Sequence, residues 1–342
     1  MRVRFTCRFF TLIVLFQSLP LMAEMQEEKD AGYLPEIHGT IRAKYELEPE
    51  YMENRFQVRN ARLGASGKIG SLVDYYKVEA DFCDRGEFKV VDAYARVAFD
   101  KSFKIQVGQM RIPFSVDATR APHVRYFANR SFIAKQVGNV RGVGAKAIFK
   151  VPDLPVNVEA GVFNTATISE HQVWQREMSY AGKINCKLDN VTIEAGVESI
   201  VPDSIRINLI DGTVSWSAGR WMLEGEYIYK HYTGNAFEAC HAYNVMADYH
   251  IPLKKGLFNQ VSFQGRWDGM TDHSDGKRND DGRLELTEQA RKRLSLGTTL
   301  SYIRKGVRTD IRLNYENYFY HHDAVVASGD RDKVVVELVV RF

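Results

Sequence analysis

The feature that most restricts the fold of this chain is a two-residue alternation of apolar and polar side chains. It recurs from residue 36 to the last residue. In the final instance, Val334, Val336, Leu338, Val340 and the terminal Phe342 share one face, and Lys333, Glu337 and Arg341 share the other. Side chains of a β-strand point alternately to opposite faces, so each such stretch is a strand with one apolar and one polar side. Near the start, Ile37, Gly39, Ile41, Ala43 and Tyr45 oppose His38, Thr40, Arg42, Lys44 and Glu46. Late in the chain, Val307, Thr309, Ile311, Leu313 and Tyr315 oppose Arg308, Asp310, Arg312, Asn314 and Glu316. In residues 54–68 the phase slips near Asn60, which predicts a β-bulge.

About sixteen such segments can be counted, near 36–46, 54–68, 73–83, 88–99, 102–112, 140–150, 155–164, 178–188, 191–199, 206–217, 220–231, 239–252, 259–269, 291–304, 307–319 and 333–342. Their connections sort by parity. Those after even-numbered segments are mostly tight, whereas 113–139, 165–177, 270–290 and 320–332 all follow odd-numbered ones. An even number of strands, with short turns at one end and long loops at the other, predicts a closed transmembrane antiparallel β-barrel. Ten residues at about 3.3 Å each, tilted about 40°, rise roughly 25 Å, the height of the apolar band of such a barrel. The aromatic terminus, Phe342, then reads as a membrane-insertion signal. Trp216, Trp221, Tyr227, Tyr229, Tyr318, Phe319 and Tyr320 near segment ends read as interfacial girdles. A soluble β-sandwich is the competing fold, and it does not account for the loop parity.

The opposite end of the chain agrees. Arg2, Arg4 and Arg8 precede the apolar run Phe9 to Leu19, and Leu21-Met22-Ala23 supplies a small-residue cleavage context. Residues 1–23 are therefore expected to be a signal peptide, 24–35 a polar periplasmic lead-in, and 36–342 the barrel. Those three arginines account for the formal charge of +3; without them the chain has 43 basic and 43 acidic residues. That balance disfavours a nucleic-acid binder. Mean hydropathy is −0.31, as expected when apolar and polar faces average out. No apolar run after the signal is long enough for a spanning helix. Cys83, Cys186 and Cys240 lack CxxC spacing and are read as isolated thiols.

One stretch departs from the charge balance. From Arg111 to Arg141, basic residues (Arg111, Arg120, Arg125, Arg130, Lys135, Arg141) far outnumber the single acid, Asp117. The Gly108-Gln109-Met110-Arg111-Ile112-Pro113-Phe114-Ser115 run, with Asn129-Arg130-Ser131 after it, resembles the phosphate-selective porin O/P family, particularly its Bacteroidetes-type members. Arg59-Asn60-Ala61-Arg62-Leu63-Gly64 is similar to that family's second strand. The resemblance implies a sixteen-stranded, usually trimeric, passive outer-membrane channel that favours small anions, with its third external loop folded inward. Arg111, Arg120, Arg125, Arg130, Lys135 and Arg141 then become candidates for contacting anions at the constriction. Arg42, Lys44, Arg59, Arg62, Lys77, Arg96, Arg308 and Arg312 become candidates for the lumen wall. The expected partners are outer-membrane lipid, small anionic solutes and two further copies of the chain.

Other signals carry less. His321-His322-Asp323 and the Asp272, Asp275, Asp280, Asp281 group fit neither a zinc site nor the ligand order of a calcium loop. Gly142-Val143-Gly144 opens a strand rather than a helix, and no Gly-x-Ser-x-Gly elbow occurs. No cofactor, metal or catalytic residue is expected. The rival readings are a sugar- or other solute-specific porin, for which Tyr126 and Phe127 leave room, a barrel with a plugged lumen, and a lipid-modifying enzyme.

Overall fold

A computed structural model of the protein describes residues 34–70, 72–84, 86–133, 137, 140–165, 174–320 and 326–342. The expected signal peptide and most of the lead-in lie outside them, as do Lys135 and the His321-His322-Asp323 group. The strands are β1 (Glu36–Glu48), β2 (Glu53–Ile69), β3 (Val73–Asp84), β4 (Glu87–Ala98), β5 (Phe103–Arg111), β6 (Arg141–Lys150), β7 (Val156–Asn164) and β8 (Met178–Leu188). They continue as β9 (Val191–Ile200), β10 (Ile207–Ala218), β11 (Trp221–Tyr232), β12 (Cys240–Pro252), β13 (Gln260–Met270), β14 (Arg291–Arg304), β15 (Val307–Tyr320) and β16 (Lys333–Arg341). Each pairs antiparallel with its sequence neighbours, and β16 pairs with β1 to close the barrel. The fold is the closed sixteen-strand antiparallel barrel that the alternation predicted. No helix among the described residues is long and apolar enough to cross a membrane.

The slip near Asn60 is a bulge. Arg42 faces Asn60 but the next residue, Ala43, faces Val58, so Arg59 is the extra residue. It lets Asn60 turn to the buried face while Phe56 and Val58 stay exposed. Ile41, Leu63, Val78, Val107, Leu296, Leu313 and Leu338 likewise form an exposed apolar exterior, the surface a bilayer would cover. Ring pairs gather near both rims, Tyr45 with Phe56 and Trp267 with Phe319 at the end bearing the long connections, Phe99 with Phe103 and Trp221 with Tyr249 at the other. Tyr318 does not join them. Even-numbered positions of β15 face inward, and its hydroxyl donates to Glu316 3.0 Å away. The three described cysteines are free thiols.

The interior is not polar throughout, as an average porin strand would suggest. Phe163, Ala181, Ile200, Ile207, Leu209, Ile228, Ala242 and Met270, on inward positions of β7–β13, form an apolar core with Phe114, Phe132, Ile133 and Val137. The 112–140 connection thus brings its own apolar side chains to one sector of the wall.

At the closing seam, Gly39 donates to the Phe342 carbonyl at 2.9 Å and accepts from the Phe342 N–H at 3.2 Å. The Phe342 ring lies over Gly39, where an added Cβ would come within 2.4 Å of the ring's Cζ. Gly39→Leu is expected to displace the ring and cost about 1–3 kcal/mol, the usual scale of overpacking. The loss of the heat-resistant, fast-migrating form in gel electrophoresis should move to lower temperature. An unchanged transition would mean that ring packing at the seam does not limit stability.

Candidate functional site: the 112–140 connection

The connection is launched by a bend. Gly108 has φ +126°, and a Cβ there would lie 2.2 Å from the Ala93 carbonyl oxygen, so only glycine fits. The β4–β5 ladder stops at the adjacent Ala93–Gln109 pair. The Gln109 amide instead donates to the Val90 and Val91 carbonyls at 2.7 and 2.9 Å, stitching the splayed strands together. This explains the Gly108-Gln109 part of the motif in physical terms.

Past the buried Phe114, Ser115 accepts from the Ala118 N–H at 3.2 Å and caps a helical turn, Val116–Thr119. The turn is anchored by acids of β11. Glu226 accepts from the Ser115 hydroxyl at 2.5 Å and from the Val116 and Asp117 N–H groups at 2.9 and 3.1 Å. Glu224 takes Arg120 at 2.7 Å through both oxygens.

Further along, the anchors are basic and come from the other side of the barrel's sequence. Arg42 of β1 donates to the Ala128 carbonyl at 2.6 Å, Arg266 of β13 to Asn129 at 3.0 Å, and Arg293 of β14 to Arg130 at 2.7 Å. Arg312 of β15 reaches the His123 carbonyl at 3.3 Å. Acceptors on the same wall take the loop's N–H groups: Asn314 from Ala128 at 2.8 Å and Asp268 from Phe132 at 2.9 Å. Arg266 also covers the Phe127 ring at 4.5 Å, and Arg293 the Phe132 ring at 4.4 Å. The backbone of 115–132 is therefore fixed by side chains from β1, β11 and β13–β15.

The wall candidates are mostly neutralised in place. Arg59 pairs with Asp84 at 2.7 Å, Arg62 with Asp81 at 2.8 Å, and Lys77 with Asp92 at 2.8 Å and Glu79 at 2.9 Å. Arg96 pairs with Asp74 at 2.8 Å, Arg141 with Asp92 at 2.7 Å, Lys44 with Glu46 at 2.6 Å, and Arg308 with Asp310 at 3.0 Å. Arg42 and Arg312 share Glu337 at 2.5 and 3.0 Å. Among the loop candidates, Arg120 has both Asp117 and Glu224. Arg111 donates to the Thr119 carbonyl and Arg125 to the Arg120 carbonyl at 3.3 Å; neither has a carboxylate partner among the described residues. Arg130 gives its carbonyl to Arg293.

Electrostatics follow the pairing. Burial alone would lower Arg120, but Glu224 and Asp117 hold it above its ordinary range. Burial would raise Asp117, and Arg120 with the Ser131 hydroxyl reverses that to a lowered carboxyl. Arg125 is pushed well down by burial, then by neighbouring Arg130 and Arg42. A guanidinium keeps its proton under such pressure, so the direction marks a cation short of negative charge. His123 is brought down to about 4 by burial and by Arg341, Arg111 and Arg308, and is neutral at pH 7.

The anchors Glu224, Glu226, Arg266, Asp268 and Arg293 had no distinguishing mark in the sequence beyond their inward phase. A contact across the barrel joins residues more than a hundred positions apart, as with Ser115 and Glu226, and leaves no local spacing to read.

With that geometry in view, the model of the family described as phosphate-selective porin O and P matches residues 37–185. Over that stretch the chain is similar to this family. Those residues run from β1 into β8 and include the basic connection. Solved structures agree on the fold. The anion-selective porin from Comamonas acidovorans is 13% identical with a TM-score of 0.64, covering 90% of this chain and 98% of that one. Salmonella typhi OmpF, in complex with daunomycin, is 13% identical with a TM-score of 0.64, covering 91% and 98%. Vibrio cholerae OmpT, described in a trimer form, is 12% identical with a TM-score of 0.59, covering 90% and 98%. Among curated protein sequences none matches the chain. The family match and the barrel fold together make the chain a porin, an outer-membrane channel of a Gram-negative bacterium.

Proposed function

We propose that the porin passes small anions, phosphate among them, along a bore narrowed by its 112–140 connection. The connection fills the sector beside β10–β15, and the aqueous path runs along β2–β6. Its bonds to the inward faces of β1, β11 and β13–β15 support that location. So does the partial exposure of Arg59, Arg96 and Lys104 on the opposite wall. Val124, at the edge of the connection, is 45% exposed and borders the path.

The observation that carries the anion preference is that, among the described residues, no carboxylate forms an ion pair with Arg111 or Arg125, whose guanidiniums donate to backbone carbonyls instead. The paired wall cations contribute little net potential because each has an acid within 3.0 Å. A poorly compensated guanidinium in a confined site lowers the energy of an arriving anion and raises that of a cation. Multi-site, weak attraction permits transit where tight binding would block it. The working form is a homotrimer, a reading supported by the trimer form described for OmpT.

The test is the zero-current potential of the purified porin in a planar bilayer under a KCl gradient. We expect stepwise conductance and reversal on the chloride side of zero. Reversal on the potassium side would refute the anion preference, and absence of conductance would refute the open bore.

A further inference from the structure

The external mouth holds a cleft that the anion path does not use. It lies between the β1–β2 turn at 49–52 and the segment 326–332, and has a volume of about 600 Å³. That is within the range of small-ligand sites. We propose that this cleft binds a neutral saccharide.

Its chemistry is that of a polyol site. Tyr51 presents a ring that is 60% exposed, and the Arg331 guanidinium covers part of it at 4.3 Å. Tyr318 and Tyr320 also line the cleft. Among the described residues no carboxylate pairs with the Arg331 guanidinium, which lies over Tyr51, and no cation pairs with the Glu50 carboxylate. Asp332 accepts from the Tyr318 N–H at 2.7 Å and from Asn317, and a carboxylate has about four lone-pair positions, so acceptor capacity remains.

Donors and acceptors of both signs therefore face one space beside an aromatic surface. An anion would meet Glu50 and Asp332, and a cation would meet Arg331. A sugar suits all of them, because its hydroxyls donate to carboxylates and accept from a guanidinium while its C–H face lies on tyrosine. The turn is also held ready: Glu48 accepts the Glu50 and Tyr51 N–H groups at 2.8 and 2.9 Å. Little ordering is left for the ligand to impose.

The experiment is saturation-transfer NMR on the full-length porin in detergent, with maltotriose as probe and inorganic phosphate as competitor. We expect transfer to maltotriose ring protons that excess phosphate leaves intact. In Tyr51→Ala, affinity should fall about fivefold or more, the scale of one lost aromatic contact. The exposed Tyr51 side chain leaves the barrel intact when removed, which heat-modifiable migration verifies. No transfer to maltotriose, equal transfer in Tyr51→Ala, or displacement by phosphate would each overturn the proposal. The outcome is independent of ion selectivity, since conductance is not the readout.

Discussion

Arg125→Ala is expected to reduce the anion-over-cation permeability ratio about fivefold, while Arg120→Ala should leave it nearly unchanged. The two residues lie five positions apart in one basic loop, yet their surroundings differ. Arg120 is matched by Asp117 and by both oxygens of Glu224, and the Asp117 carboxyl, which burial raises and Arg120 holds down, takes up a proton once Arg120 is gone, so the local net charge changes little. Among the described residues Arg125 has only a carbonyl as acceptor. At an effective dielectric of about 20, a unit charge about 6 Å from an ion is worth roughly 3 kcal/mol. Mobile ions and water in the bore reduce that to about 1 kcal/mol, or about fivefold in the ratio. Reversal potentials of the two variants in the same KCl gradient provide the comparison. Equal losses would show that loop charge acts as a diffuse total, and pairing would then be irrelevant.

Arg293→Ala is expected to have the largest structural effect of any single substitution in the bore. Its guanidinium bonds Asp268 at 2.7 Å, Glu316 at 3.2 Å and the Arg130 carbonyl at 2.7 Å, and it covers the Phe132 ring. All three charged side chains are buried. Deleting one member of a buried ion-pair network leaves the others uncompensated and typically costs 3–5 kcal/mol. The 112–140 connection would also lose its hold on β14. We expect an earlier heat transition and larger, noisier single-channel currents as the loop shifts in the bore. A variant with wild-type melting and quiet, unchanged conductance would show that the network does not fix the loop.

The architecture was legible because membrane strands obey a strong local rule. Each of the sixteen segments read from alternation overlaps one observed strand, with bounds agreeing to within two residues, as for 178–188 and β8 or 291–304 and β14. Even the slip at Asn60 was visible, since an extra residue inverts the phase of everything after it. The loop parity followed from the same count.

The site was legible only as a region. Composition marks the stretch from Arg111 to Arg141 as basic, but the chemistry of each cation depends on which acid the closed barrel brings to it. Nothing near Arg120 in sequence announces Glu224, and nothing near Arg42 announces Glu337. The apolar sector behind the loop was hidden for a related reason. Inward apolar residues such as Ile228 and Ala242 look like ordinary lipid-facing strand residues until the loop that covers them is placed.

The most direct measurement is the accessibility of single cysteines to a negatively charged methanethiosulfonate reagent during current recording. Val124→Cys lies at the proposed edge of the path, and Thr213→Cys is a buried inward position of β10 on the sector that the connection covers. The parent protein, which keeps Cys83, Cys186 and Cys240 as free thiols, is the control. The account predicts stepwise block of current in Val124→Cys and none in Thr213→Cys. Block at Thr213→Cys with Val124→Cys silent would put the aqueous path on the other side of the loop and contradict it.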